Sequence, residues 1–183
     1  MNALTEVKNA AIGWLDLLGS RPDAAARFNA TRRGFITMLG VYFVLVIITN
    51  TIQAATLYST PPGIIDLVVS LGINALPLLA VFVVIVLTVR VLRAPVGPLA
   101  LMVPAGYALG FVLSIGLPLS LFGVNFSAGL QGILGYMFYR LARDIGKFSI
   151  GISIAFAILT VVLLVAIPLG LYMLIVPEIP TPD

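Results

Sequence analysis

Cysteine and histidine are both absent from this chain, and charged residues make up only 9% of it. Without them there is no disulfide, no thiol nucleophile, and none of the commonest zinc ligands or proton shuttles. Haem and iron–sulfur ligation through these residues is excluded as well. A soluble domain carries about 25% charged residues. Here 61% of residues are hydrophobic and the mean hydropathy is +1.16, so water is not the main solvent. The sequence also lacks a Walker loop, a dinucleotide fingerprint, a metal-binding motif and a convincing internal repeat. No cofactor is expected. The net charge of +3 comes without a dense basic patch, which argues against nucleic acid as a partner.

What charge there is has a pattern. All ten basic residues fall in three short stretches that alternate with long apolar segments. Lys8, Arg21, Arg27, Arg32 and Arg33 precede the first segment, Arg90 and Arg93 follow the second, and Arg140, Arg143 and Lys147 precede the last. The remaining connections and the tail 176–183 contain no Lys or Arg. This asymmetry predicts a multi-pass protein of a bacterial inner membrane, N-terminus cytoplasmic and C-terminus periplasmic. The first apolar run begins near Gly34 and is too long for a signal-peptide core, so it reads as an uncleaved signal anchor.

The expected fold is an all-α helix bundle of five transmembrane helices preceded by an amphipathic N-terminal helix. The spans are placed at 34–57, 64–89, 98–122, 125–140 and 148–175, with outer turns at Thr60-Pro61-Pro62-Gly63 and Gly123 to Ser127. A re-entrant pair over 98–140 is the alternative to two spans there. Within the cytoplasmic segment 1–33, Leu4, Val7, Ala11, Trp14, Leu15 and Leu18 recur at helical spacing. Their stripe suits either the headgroup boundary, with Trp14, Leu15 and Leu18 as surface anchors, or packing beneath the bundle. Ser20, Pro22 and Asp23 predict the start of a second short helix, over 21–30, carrying Phe28 towards the membrane.

Few residues in the spans carry chemistry. Asp66 reads either as a cation or proton site at the outer mouth or, preferably, as a carboxylate favoured by a helix N-terminus. Asn74 with Pro77 interrupts span two, as in transporter binding sites and, more often, in structural kinks. Pro104, Pro118 and Pro168 add further interruptions. Gly106, Gly110 and Ser114 form a small-residue ridge on span three, and Ala128, Gly132 and Gly135 form another on span four, near Gln131. Such ridges bring helices close, within the bundle or against a partner. Tyr139 to Lys147 reads as a cytoplasmic extension of span four in which Asp144 balances an arginine.

This layout resembles the Yip-type family of small membrane proteins: a cytoplasmic amphipathic segment, then five closely spaced spans. Arg33-Gly34-Phe35 before span one and the Tyr139-Arg140 to Arg143 step before the last span carry the likeness. The resemblance implies a non-enzymatic membrane protein. The leading expectation is a scaffold, assembly factor or accessory subunit that binds the bilayer and another membrane protein, or itself, through helix contacts. A small transporter or channel with a site around Asp66 and Asn74 is the alternative.

Overall fold

The Asn2 side chain starts the first helix, its Oδ1 accepting from Thr5 N–H at 2.8 Å and from Thr5 Oγ1 at 2.7 Å. This cap satisfies a donor that has no intrahelical partner. The computed structural model describes residues 2–57, 63–122 and 127–175. They form α1 (Ala3–Leu18), α2 (Arg32–Leu57), α3 (Ile64–Val91), α4 (Pro98–Leu121), α5 (Ser127–Arg140) and α6 (Ile150–Ile175). No strand occurs among the described residues. The expected turn residues 60–62 and 123–126, and the tail 176–183, lie outside them.

Among the described residues four helices are long and apolar enough to cross a membrane: Arg32–Thr56, Ile64–Val91, Pro98–Leu119 and Ile150–Gly170. The helices that contain them, α2, α3, α4 and α6, match four of the five expected spans to within two residues at each end, as befits a membrane protein. The expected span at 125–140 corresponds to α5, which has 14 residues. At ~1.5 Å per residue that gives a rod of ~21 Å, against ~30 Å for a hydrocarbon core. Its C-terminus continues as a π-turn, Leu141–Ile145, that buries Leu141, Ala142 and Ile145.

α4 is the central helix, and its broadest contact is with α2. Gly106 and Gly110 explain the closeness of that pair. A Cβ on Gly106 would lie 2.0 Å from Met38 Sδ, and one on Gly110 would lie 3.2 Å from Leu45 Cδ1. This ridge is therefore spent inside the bundle, with Met38 wholly buried over it. Ser114 Oγ donates back to the Gly110 carbonyl in its own helix at 2.9 Å. α6 packs on α3 and α5, where Phe138 and Phe156 meet edge to face at 6.4 Å.

The core is concentrated towards one end. On α3 the fully buried residues begin at Leu78, whereas Ile64, Ile65, Val68, Val69 and Ile73 are all exposed. The buried parts of α4 and α5, Leu101 to Leu109 and Leu134 to Phe138, lie towards the same end. At this end α1 packs across α2, α4 and α5. A pocket of about 340 Å³ here brings Arg21, Val96, Asp144 and Lys147 together. The first and third basic stretches are thus neighbours in space, beside the loop that follows the second.

Helix α1 is turned by about one position from its expected orientation. Its buried face is Glu6, Ala10, Gly13, Trp14 and Leu17, with Asp16 alongside, while Leu4 and Leu15 are exposed. Trp14 is no surface anchor: it is 2% exposed and donates through Nε1 to the Pro104 carbonyl at 3.0 Å. Leu18 is half-buried against the core. Specific partners outweigh hydrophobic periodicity here. Asp16 Oδ1 accepts from Arg21 at 2.9 Å, and its Oδ2 accepts from Arg27. Glu6 Oε1 accepts from Asn29 Nδ2 at 3.0 Å. These bonds offset the burial of Asp16 and of one Glu6 oxygen, whereas Glu6 Oε2 is buried with no partner among the described residues.

The expected helix over 21–30 is only a single 3₁₀ turn, Ala24–Arg27. Ser20 is not its cap, since it closes α1 in the left-handed region at φ 61°. The two arginines held by Asp16 fold this stretch back along α1. Phe28 consequently packs on Trp14, ring centroids 5.9 Å apart, instead of pointing to the membrane.

Candidate functional site

Between the long helices lies a cavity of about 400 Å³, walled by α2, α3, α4, α5 and α6. Its polar lining is Tyr42, Thr49 and Gln53 from α2, Asn74 from α3 and Gln131 from α5. The remainder is apolar, mainly leucine and valine. No Asp, Glu, Lys or Arg lines it among the described residues.

Helical spacing explains the α2 contribution. Tyr42, Thr49 and Gln53 are 7 and then 4 residues apart, so they share a face with buried Val46 between them. On α3, Pro77 has no N–H to give to the Ile73 carbonyl, which loosens the backbone ladder there. One residue on, the Asn74 carbonyl receives the Tyr42 hydroxyl at 2.8 Å. The Asn74 side chain turns into its own helix, donating to Ser70 O at 2.9 Å. The interhelical link at Asn74 therefore runs through its backbone carbonyl, with Tyr42 as donor. The proline-loosened turn of α3 is pinned to α2, and the cavity lies beside that joint.

Asp66 has no part in this cavity. Its carboxylate accepts from Gly63 N–H at 3.0 Å, capping the start of α3, and it is exposed. The two expected transport-site residues are thus separated: Asn74 lines the cavity and Asp66 closes a helix end. Of the two small-residue ridges, the one on α4 is consumed by α2. The other stays open, since Ala128 and Gly132 are exposed and a Cβ on Gly132 would meet nothing within 4 Å. Gly135 is closer to a neighbour, its added Cβ falling 3.5 Å from Val161 Cγ2.

A second polar cluster lies at the end where α1 packs. Arg140 donates to the Leu17 carbonyl at 2.8 Å and pairs with Asp144 at 2.7 Å. Leu17 belongs to the last turn of α1, whose carbonyls lack helical partners and carry partial negative charge. Arg143 donates to the Phe148 carbonyl at 2.8 Å and so ties the π-turn to the start of α6. These bonds join elements, while Arg140 Nε is buried with no acceptor among the described residues. No group of three or more metal-ligating side chains occurs among the described residues.

Sequence reasoning missed Tyr42, Thr49 and Gln53 as cavity residues. The signal was present as a polar stripe with helical period on an otherwise apolar helix. Comparison with protein families, characterised proteins and solved structures gives no match for this chain.

Proposed function

We propose that this is a non-catalytic membrane protein that binds an uncharged amphiphilic molecule in its central cavity, as a small carrier or lipid-handling protein would. One observation carries this reading: five helices converge on a space whose polar side chains, among the described residues, are hydroxyls and amides. Ligand sites of ~300–1,000 Å³ with an apolar wall and a few placed polar groups are the common kind. A charged ligand would meet no counter-charge there, and an unpaired charge inside a membrane is costly. Acid–base or nucleophilic chemistry would need a positioned ionisable pair, and this lining supplies none.

In this reading the basic end faces the cytoplasm of a bacterial inner membrane, following the positive-inside rule. Helix α5 with its π-turn makes the fifth, short crossing, which gives the five-span layout of the Yip-type resemblance. Exposed Leu4 and Leu15 of α1 then rest at the headgroup boundary.

The test is extraction in lipid-retaining particles followed by mass spectrometry of everything that co-purifies. A reproducible uncharged amphiphile at about one per chain, lost in Asn74→Leu with Gln131→Leu, is the expected result. Recovery with a stoichiometric protein partner and no such molecule would overturn it. That outcome would favour the second reading, an accessory subunit docking through α5, which rests on exposed Ala128 and Gly132.

A further inference from the structure

A second hollow runs between α5 and α6, about 450 Å³ in volume and almost wholly apolar. Gly132 and Gly135 form its α5 side, and Ile154, Ile158 and Val162 rise from α6. Those three α6 residues are all exposed on the bundle surface, as is Tyr136 at the π-turn end. Gln131 and Val161 line both this groove and the central cavity. The two spaces therefore adjoin across one amide and one valine.

We infer that the groove is the lateral door of the cavity, and that its occupant is the single hydrocarbon chain of an uncharged amphiphile whose polar head sits inside. This rests on the binding function proposed above. The charge pattern selects the head: among the described residues neither space is lined by Asp, Glu, Lys or Arg, and Gln131 offers both a donor and an acceptor at the junction. Groove shape selects the chain. Glycines make only the α5 wall, while three branched side chains stand out from the α6 wall. Close helix association needs small residues where backbones approach, so these would hold a partner helix away. A flexible chain can lie between them, and it exchanges with bilayer lipid without leaving an apolar medium.

Gln131 is the selecting residue in this arrangement. A polar head passing from lipid to cavity meets its amide first, and a purely apolar molecule gains nothing from it. Tyr136 and Tyr139 stack at 6.3 Å and line the other end of the groove. The hydrocarbon chain would extend towards them.

Two photoactivatable monoacylglycerols in phosphatidylcholine nanodiscs test this, one with a diazirine near the head and one with it near the chain end. The head probe is expected to label α2 and α3 near Thr49 and Asn74, and the chain probe to label 132–139 or 154–162, both saturably. Gly132→Phe should slow labelling by the head probe roughly tenfold, a barrier change of about 1.4 kcal/mol. Ile158→Phe fills the groove from the opposite wall and should act alike, with thermal unfolding confirming that both variants fold. Saturable head labelling with unchanged rates in both folded variants would overturn the door and leave the cavity reading intact. No saturable labelling by either probe would overturn both. Cross-linking between copies through Gly132→Cys, in a chain with no other cysteine, would overturn the lipid occupant in favour of a second copy.

Discussion

Trp14 Nε1 donates to the Pro104 carbonyl at 3.0 Å across 90 residues of sequence. The indole lies on Phe28 and is almost completely buried, so it fastens α1 to the central membrane helix. Trp14→Ala removes the ring and the bond together, at a cost of about 3–5 kcal/mol. Trp14→Phe keeps most of the packing and loses the hydrogen bond, for about 1 kcal/mol. Thermal unfolding in detergent should rank the two in that order. Amide exchange over residues 3–18 should rise sharply in the alanine variant only.

Gly34 is needed because the chain entering α2 crosses it. A Cβ there would lie 1.9 Å from the Asn29 carbonyl oxygen, a backbone atom that no rotamer change can move. Gly34→Ala should therefore destabilise by about 1–3 kcal/mol, as overpacking does. Gly40 lies in the same helix with nothing within 4 Å of such a Cβ. Gly40→Ala should be neutral or gain up to about 1 kcal/mol from backbone entropy. Matching losses for the two variants in a thermal melt would contradict the close approach at Gly34.

Four of the expected spans were legible because Pro98 and Gly63 start helices and basic residues mark several ends, signals that lie within a few positions of one another. The face of α1 was not. Its buried side includes Glu6 and Asp16, whose partners Asn29, Arg21 and Arg27 are up to 23 residues away, beyond the reach of any periodicity. Asn74 with Pro77 was legible as an interruption of α3, yet the partner of the Asn74 carbonyl is Tyr42 of another helix. The use of the two glycine ridges was undecidable from spacing, since a ridge looks the same whether a bundle neighbour covers it or not.

That difference between ridges is itself measurable. Gly106→Leu would force a branched side chain into wholly buried Met38 and should cost several kcal/mol, with loss of folded protein on extraction. Gly132→Leu projects into open groove and should leave the unfolding temperature within a few degrees of the wild type. If Gly132→Leu proved the more damaging, α5 would have to be covered in the native membrane by something absent from the isolated chain.

Asp16 binds two arginines whose side chains are 73% and 43% exposed, while its own is 7% exposed. Removing Arg21 should matter little, under about 1 kcal/mol, because water and salt screen an exposed partner. Asp16→Ala should cost more, about 1–3 kcal/mol, since both guanidinium groups lose the acceptor that folds 20–28 back on α1. Limited tryptic proteolysis after Arg27 is the direct readout, since Pro22 makes the bond after Arg21 resistant to trypsin. Cleavage there should quicken in Asp16→Ala and scarcely change in Arg21→Ala.

The two polar residues of α3 should separate by function. Asp66 caps the helix from an exposed position, so Asp66→Asn keeps an acceptor for Gly63 N–H and should leave ligand binding and flux unchanged. Asn74→Leu removes a polar group from the cavity wall but leaves the carbonyl that Tyr42 holds, so the fold should survive. Tyr42→Phe does the converse, releasing the turn at Pro77 for about 1 kcal/mol while leaving the side-chain amide in place. Binding of a neutral amphiphile, measured in nanodiscs beside a thermal melt, should fall in Asn74→Leu without loss of stability, and Tyr42→Phe should lower the melt. A loss of binding in Asp66→Asn would instead place the ligand at the N-terminal end of α3, with this carboxylate among the groups that hold it.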